Sequence, residues 1–230
     1  MTDTDLDNQT SYWDAVSATK RFTHPLHTEW TDALGRDAAV LDYGCGYGRT
    51  MAELAQLGFT DLTGVDSSAG MIEQAREHHP TMRFAVLDAP PALPFADASF
   101  DLVVLFAVLT CIPGDEAQER LIGELTRVLR PGGLLYISDL LLGEDPRSIE
   151  RYERFAATHG TGTGTATATY GVFETSDGAV CRHHRAEHFP HLLAGLDIQD
   201  TRRIPVATMN GNEAAGIQVL ARKPAQVFGS

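Results

Sequence analysis

The stretch Val40-Leu41-Asp42-Tyr43-Gly44-Cys45-Gly46-Tyr47-Gly48 decides how the rest of the chain is read. Ala38 to Asp42 is a short buried strand that runs into three glycines at alternate positions. Arg49 to Leu57, with Met51, Ala52, Leu54 and Ala55 apolar, is a helix that Gly58 ends. Glycines between a strand and a helix let the backbone turn tightly and approach a ligand. A dinucleotide loop reads G-x-G-x-x-G, and here Arg49 stands at its last glycine position. Asp42, just ahead of the first glycine, repels a pyrophosphate and attracts a cation such as an amino group. The loop therefore calls for a ligand that carries positive charge.

Outward from the loop, strands and helices alternate. Asp61 to Asp66 is a second strand and Ala69 to His79 a helix stopped by Pro80. Met82 to Asp88 is a third strand, and Phe100 to Phe106 a fourth that is apolar on both faces, as a central parallel strand is. Asp115 to Leu129 is a helix closed by Pro131-Gly132-Gly133, and Leu134 to Asp139 a fifth strand. This alternation predicts an open parallel sheet with helices on both faces. Ligands in such sheets bind outside the carboxyl ends of the strands. Asp42, Asp66, Asp88 and Asp139 each stand at one of those ends. Asp66 lies about 20 residues past the loop, the spacing that lets an acid hydrogen-bond ribose hydroxyls. Asp88 is placed to accept from an exocyclic adenine amine.

The last third changes character. Glu144 to His159 reads as a helix, and Gly160 to Thr169 as a low-complexity connector or lid. Thr169 to Glu174 and Ala179 to His183 flank the turn Ser176-Asp177-Gly178 as a hairpin. Glu187 to Gly195 is a short helix. Ile198 to Met209 and Ala214 to Lys223, joined by Asn210-Gly211-Asn212, are an antiparallel edge pair. At the other end, Ser11 to Trp30 reads as helical. The layout is an N-terminal helical lid over residues 1–35 and one domain over 36–230, with a substrate cap inserted at about 143–186.

Composition bounds the function. The chain has 230 residues, 43% hydrophobic and 21% charged, which fits one globular domain with an elaboration. Its formal net charge is −13, which argues against nucleic acid, since such binding draws on phosphate contacts. No apolar run reaches the ~20 residues that span a bilayer, and the acidic start is unlike a secretory leader. These features read as a cytoplasmic protein with no membrane partner. Cys45, Cys111 and Cys181 are far apart and no H-E-x-x-H occurs, so no metal is expected.

The chain resembles the class I S-adenosylmethionine-dependent methyltransferases of the small-molecule type over Ala38 to Asp139, and more weakly over the C-terminal hairpin. The motifs are Leu41-Asp42-Tyr43-Gly44-Cys45-Gly46-Tyr47-Gly48, Leu62-Thr63-Gly64-Val65-Asp66-Ser67-Ser68 with Met71, Leu87-Asp88-Ala89, Phe100-Asp101-Leu102-Val103-Val104, and Arg127-Val128-Leu129-Arg130-Pro131-Gly132-Gly133. The resemblance implies a Rossmann-like, doubly wound α/β fold. Its seven-stranded, mostly parallel sheet carries an antiparallel C-terminal edge hairpin and a small cap. It also implies S-adenosylmethionine as cofactor. Gly44, Cys45, Gly46 and Gly48 would hug its methionine part, with Asp42 on the ammonium. Asp66 would take the ribose hydroxyls, with Ser67 and Met71 flanking the nucleoside. Asp88 would bind adenine N6, with the Ala89 N–H facing N1. Phe106 and Ala107 would lie beside the reacting methyl.

Methyl transfer is an in-line displacement from an activated sulfonium carbon, so it needs orientation and exclusion of water. A base is required only for a protonated, weakly acidic acceptor. No shared motif supplies one, so the variable segments must. Candidate catalytic groups are Tyr170, His183 and His184; adjacent residues on a strand face opposite ways, so at most one of the two histidines enters a given pocket. His24, His27 and His188 are weaker candidates. Tyr12 and Trp13 in the lid, and Asn210 in the second turn, are candidate contacts to a small-molecule substrate. A different reaction fits the same scaffold: cleavage or cyclisation of the cofactor's aminobutyryl arm to azetidine-2-carboxylate, releasing methylthioadenosine. The sequence does not set the oligomeric state.

Overall fold

A computed structural model describes residues 9–17, 19–20, 23–159 and 170–225. The acidic start and the Gly/Thr tract from Gly160 to Thr169 lie outside these residues. The element order is α1 (Thr10–Val16), β1 (Ala39–Tyr43), α2 (Arg49–Gln56), β2 (Asp61–Asp66), α3 (Ala69–His78), β3 (Arg83–Val86) and β4 (Phe100–Phe106). Then come α4 (Asp115–Val128), β5 (Leu129–Leu140), α5 (Pro146–His159), β6 (Val172–Glu174), β7 (Val180–Arg182), α6 (His188–Leu192), β8 (Asp197–Ala207) and β9 (Glu213–Arg222).

The sheet is seven-stranded in the order β3-β2-β1-β4-β5-β9-β8. The first five strands pair in parallel, and β9 pairs antiparallel with both β5 and β8. This is the Rossmann-like sheet with its antiparallel edge that the sequence implies. The strand order reverses between β1 and β4, and such a switch point opens a crevice at the strands' carboxyl ends. The glycine loop leaves β1 at that crevice, and Phe106 ends β4 beside it.

Period-two alternation divides each central strand between two cores. Leu41, Val103, Leu105, Leu135 and Ile137 pack with Leu121 and Leu125 of α4 on one face. Val40, Leu102, Val104 and Tyr136 pack with Met51 and Leu54 of α2 and Ile72 of α3 on the other. An apolar run such as FDLVVLF therefore feeds both cores, with each fully buried aliphatic side chain contributing about 1.5–3 kcal/mol. Among the described residues no helix is long and apolar enough to cross a membrane.

Two expectations change. Among the described residues the N-terminal segment is helical over Thr10–Val16 and in a 3-10 turn at Thr28–Thr31, and His24 to His27 is not helical. Pro25 accounts for part of this, because it lacks an N–H and pushes the residue before it out of the helical region. The fifth strand is longer than read: β5 begins at Leu129 and carries Pro131-Gly132-Gly133 within it. That segment lies within the register shift between Phe100 and Leu102, which pair with Leu129 and Leu134, where the pairing with β4 is irregular.

Candidate active site

The glycine loop is fixed from both sides. The N–H groups of Gly44 and Cys45 both donate to the Val65 carbonyl, at 2.8 and 3.0 Å. Gly46 N–H donates to Asp66 Oδ2 at 2.9 Å, and Ser68 N–H donates to Asp66 Oδ1 at 2.9 Å. Asp66 thus holds the loop and the start of α3 at once, and each of its oxygens keeps a lone pair for a ligand. Gly44 has φ +72°, and a Cβ there would lie 2.4 Å from Val108 Cγ2. Both the conformation and the close approach require glycine.

This loop, Asp66, Ser67, Met71, Phe106 and Ala107 line one cleft. Asp42 lines it too, and its Oδ2 is buried with no hydrogen-bond partner. Burial pushes the Asp42 carboxyl up to about 7, against the pull of Arg49. An orphaned acid oxygen in a glycine cradle fits an ammonium group, and Asp66 fits a diol. The cleft's residues therefore suit the aminoacyl and ribose parts of S-adenosylmethionine. Burial also raises the Asp66 carboxyl, opposed by the N–H groups of Ser68 and Gly46.

The other expected cofactor residues are distributed as follows. Cys45 and Gly46 line the cleft, and Gly48 caps α2 with φ +85°. Asp88 and Ala89 are exposed; they sit between Leu87 and Pro90, which do line it. Trp13 of α1 lines it from above, and Asp14 Oδ1 ties the helix down by accepting from Ser68 Oγ at 2.6 Å and Gly70 N–H at 3.1 Å. Trp13 therefore lines the glycine-loop cleft and not the larger cavity beneath α5. Tyr12 turns away to donate to Asp177 Oδ2 at 3.0 Å.

Past β4 the chain forms a short turn through Leu109–Cys111. Ala107 enters it in the left-handed region, at φ +56°, where a non-glycine residue costs about 1–2 kcal/mol. Asp139, fully buried, holds the turn by accepting from Thr110 N–H at 3.2 Å and Leu140 N–H at 2.7 Å. Gln118 holds it from the other side, donating from Nε2 to the carbonyls of Leu109 at 3.1 Å and Ile112 at 2.6 Å. Ala107 and Cys111 line the cleft and also a second cavity of about 680 Å3.

The second cavity lies beneath α5 and the β6–β7 hairpin. His183 and Asn210 line it. His183 Nδ1 is 2.9 Å from the Tyr152 hydroxyl and 3.2 Å from Arg151 Nη2. A guanidinium only donates, so Nδ1 is the acceptor and the proton sits on Nε2. Burial, aided by Arg151, lowers the His183 imidazolium to about 3. His183 is thus neutral, with Nδ1 occupied and its proton on Nε2. Lys20 Nζ donates to Asn210 Oδ1, and to Asp177 Oδ2 at 2.5 Å, joining the N-terminal segment to both turns.

The structure does not bring His184 or Tyr170 to either cavity. His184 Nε2 lies 2.9 Å from Gln118 Nε2, so it acts only through the residue that holds the turn. Tyr170 is 45% exposed and packs edge-on against Tyr152, with ring centroids 5.6 Å apart. Sequence reading missed Cys111 and the α5 arginines. Arg147, Arg151 and Arg154 line the second cavity, and their spacing of four and three on one helix was the available signal.

With this geometry in view, the likenesses to known proteins are informative. Residues 41–137 match the family described as "Methyltransferase domain". The chain is 30% identical over 200 residues to trans-aconitate 2-methyltransferase of Deinococcus radiodurans, covering 77% of this chain and 74% of that protein. It is 31% identical to O-methyltransferase resE of Aspergillus sclerotiorum, over 63% of this chain and 57% of that one. The solved structure of a SAM-dependent methyltransferase from Methanosarcina mazei superposes with a TM-score of 0.76 at 27% identity, covering 87% of this chain and 99% of that chain. The chain belongs to the S-adenosylmethionine-dependent methyltransferases, and S-adenosylmethionine is the cofactor this membership brings. Several curated relatives are longer: the chain spans 57%, 44% and 62% of the length of three of them.

Proposed function

We propose that the chain transfers a methyl group from S-adenosylmethionine to a small-molecule acceptor held in the second cavity. One observation carries this reading: the cofactor cleft and the larger cavity share the Ala107–Cys111 turn, so ligands in the two meet there. When bound, S-adenosylmethionine supplies a methyl on an activated sulfonium, leaving as a neutral thioether. Asp42 pairs its ammonium, Gly44, Cys45, Gly46 and Gly48 cradle the chain behind it, and Asp66, Ser67 and Met71 hold the ribose side. Asp88 and Ala89 receive the adenine edge at the rim. Phe106 and Ala107 face the transfer point. His183 orients the acceptor by donating from Nε2, and Asn210 bounds the far wall.

Of the lid expected over residues 1–35, the described part brings Trp13 to the cleft, and the described parts of 143–186 form the acceptor cap. The named relatives are methyltransferases, which favours methyl transfer over cyclisation or cleavage of the aminobutyryl arm. The reaction belongs in the cytoplasm, on metabolites and not on nucleic acid. The test is mass spectrometry of the protein with S-adenosylmethionine, alone and with a metabolite extract. S-adenosylhomocysteine that appears only with the extract, beside a mass raised by one methylene, supports the proposal. Methylthioadenosine formed from the cofactor alone overturns it.

A further inference from the structure

We infer that the second cavity recognises a carboxylic acid with an apolar body, and that Arg151 receives its carboxylate. This rests on the proposed methyl transfer and names the class of acceptor. Arg151 lies half-buried on α5 with its guanidinium 3.8 Å from the centre of the Phe173 ring. Its hydrogen bonds go to neutral groups: Ser148 Oγ and the Tyr152 hydroxyl, both at 3.4 Å, and His183 Nδ1 at 3.2 Å. Its Nε is buried with no hydrogen-bond partner. Among the described residues no carboxylate oxygen comes within 4 Å of it, whereas Arg154, Arg127 and Arg182 each pair with an acid.

A guanidinium with no ion pair among the described residues is unexpected here. The chain carries 31 acidic residues against 18 basic ones, so a carboxylate partner was readily available. The acids near Arg151 are otherwise committed or set apart. Glu150 and Glu174 also line the cavity, but Glu150 is tied to Arg154 and Glu174 stands exposed on the hairpin, while Asp145, whose carboxyl Arg151 helps hold low, accepts from Ser148 N–H at 3.0 Å. The tract from Gly160 to Thr169 has no ionisable side chain to offer. A partly desolvated guanidinium needs an anion, and its planar fork matches a carboxylate with two parallel hydrogen bonds. Arg147, bonded to Asn212 Oδ1 at 2.8 Å, adds positive charge along the same wall. Phe155, Phe173 and Met209 line the cavity beside it and suit an apolar body.

The test is calorimetric titration of the full chain, saturated with S-adenosylhomocysteine, using 3-phenylpropionate, 3-phenylpropionamide and phenyl phosphate. Saturable binding of the acid, at least tenfold tighter than the amide and at least tenfold weakened in Arg151→Met, is expected. Arg151→Lys, which keeps the charge and loses the fork, should fall between the two. The S-adenosylhomocysteine affinity of each variant serves as the check on folding. No saturable binding of the acid, equal binding of acid and amide, or an Arg151→Met variant within twofold of the parent would overturn the inference. Tighter binding of phenyl phosphate would overturn the choice of carboxylate. Failure of the parent protein to bind S-adenosylhomocysteine would instead count against the cofactor reading itself.

Discussion

Replacing Asp42 by asparagine should trade cofactor affinity for stability, and the sizes follow from one buried oxygen. Burial holds the Asp42 carboxyl near 7 in the free protein, with Arg49 opposing and Asp66 and Glu53 adding to the rise. Only the ionised form pairs with the cofactor's ammonium. Affinity for S-adenosylhomocysteine should therefore fall as pH drops, by about 80-fold between pH 7.5 and pH 5, or about 2.6 kcal/mol at 1.36 kcal/mol per unit. At pH 7.5 the amide introduced by Asp42→Asn keeps the shape and loses the charge, so affinity should fall by the roughly 1.5–3 kcal/mol of a hydrogen bond to a charged group. The pH slope should largely disappear with it; any remainder belongs to Asp66. Stability moves the other way. Between pH about 4 and about 7 the folded carboxyl keeps a proton that the unfolded chain has lost, so the free protein loses stability as pH rises through that window. The asparagine variant has no such loss and should melt higher than the parent at pH 7.5. Isothermal titration from pH 5 to 7.5, with thermal melts of the free proteins, checks both halves. An affinity flat across that range in the parent, or an asparagine variant that keeps the full slope, would refute the pairing.

Four further outcomes are expected. Gly44→Ala places a Cβ 2.4 Å from Val108 Cγ2 at a positive φ, so it should lose roughly 1–3 kcal/mol of stability and most cofactor affinity, read by melting and calorimetry. Asp139→Ala strands the N–H groups of Thr110 and Leu140, costing about 1–3 kcal/mol for each donor left unsatisfied, and should lower kcat more than cofactor affinity. Cys111→Phe fills the junction of the two cavities; S-adenosylhomocysteine should still bind within a few-fold while methyl transfer drops by orders of magnitude. With cofactor saturating, kcat should show no histidine limb between pH 5 and 8, because burial holds the cavity-lining His24 and His183 at about 4 and about 3. Burial also raises the Asp139 carboxyl to about 7, so only an ionisation near 6.5 that persists in Asp139→Asn would point to an imidazole base that this geometry does not provide.

How far the sequence could be read depended on whether local pattern or distant contact decides the matter. The sheet was legible because its strands are separated by glycine, proline and aspartate, and because the alternation in Phe100 to Phe106 shows burial on both faces. The glycine-loop cleft was legible because Asp42, Gly44, Gly46 and Asp66, which line it, are held within two βα units. Their mutual bonds, such as Gly46 N–H to Asp66, span only twenty residues. The acceptor half was not, because it is assembled across the chain. His183 is set by Tyr152, thirty-one residues earlier, and its tautomer by Arg151. His183 and His184 looked equivalent as neighbours on a strand; only the fold sends one to a cavity and the other to Gln118, sixty-six residues away. The arginines of α5 lie on a helix that the sequence shows, but nothing local says what their face covers.

The turn after β4 explains why the two halves are built so differently. It is the one segment both cavities share, and an in-line displacement tolerates little error in the angle between nucleophile, methyl and sulfur. The fold accordingly concentrates buried polar groups on it. Asp139 holds its amides, Gln118 its carbonyls, and Ala107 accepts a left-handed backbone to enter it. His184 and His188 flank Gln118 in turn, with His188 Nε2 donating to Gln118 Oε1 at 2.7 Å. These supports come from the residue after β4, from β5, from α4, from the segment just past β7 and from α6, none from α5. The arginine-bearing helix can therefore vary what it receives without moving the point at which the methyl is delivered. That separation is why a carboxylate on Arg151 could be exchanged for another anchor by changing α5 alone. It is also why Asp139 or Gln118, which touch neither cavity wall, should matter to transfer as much as residues that do.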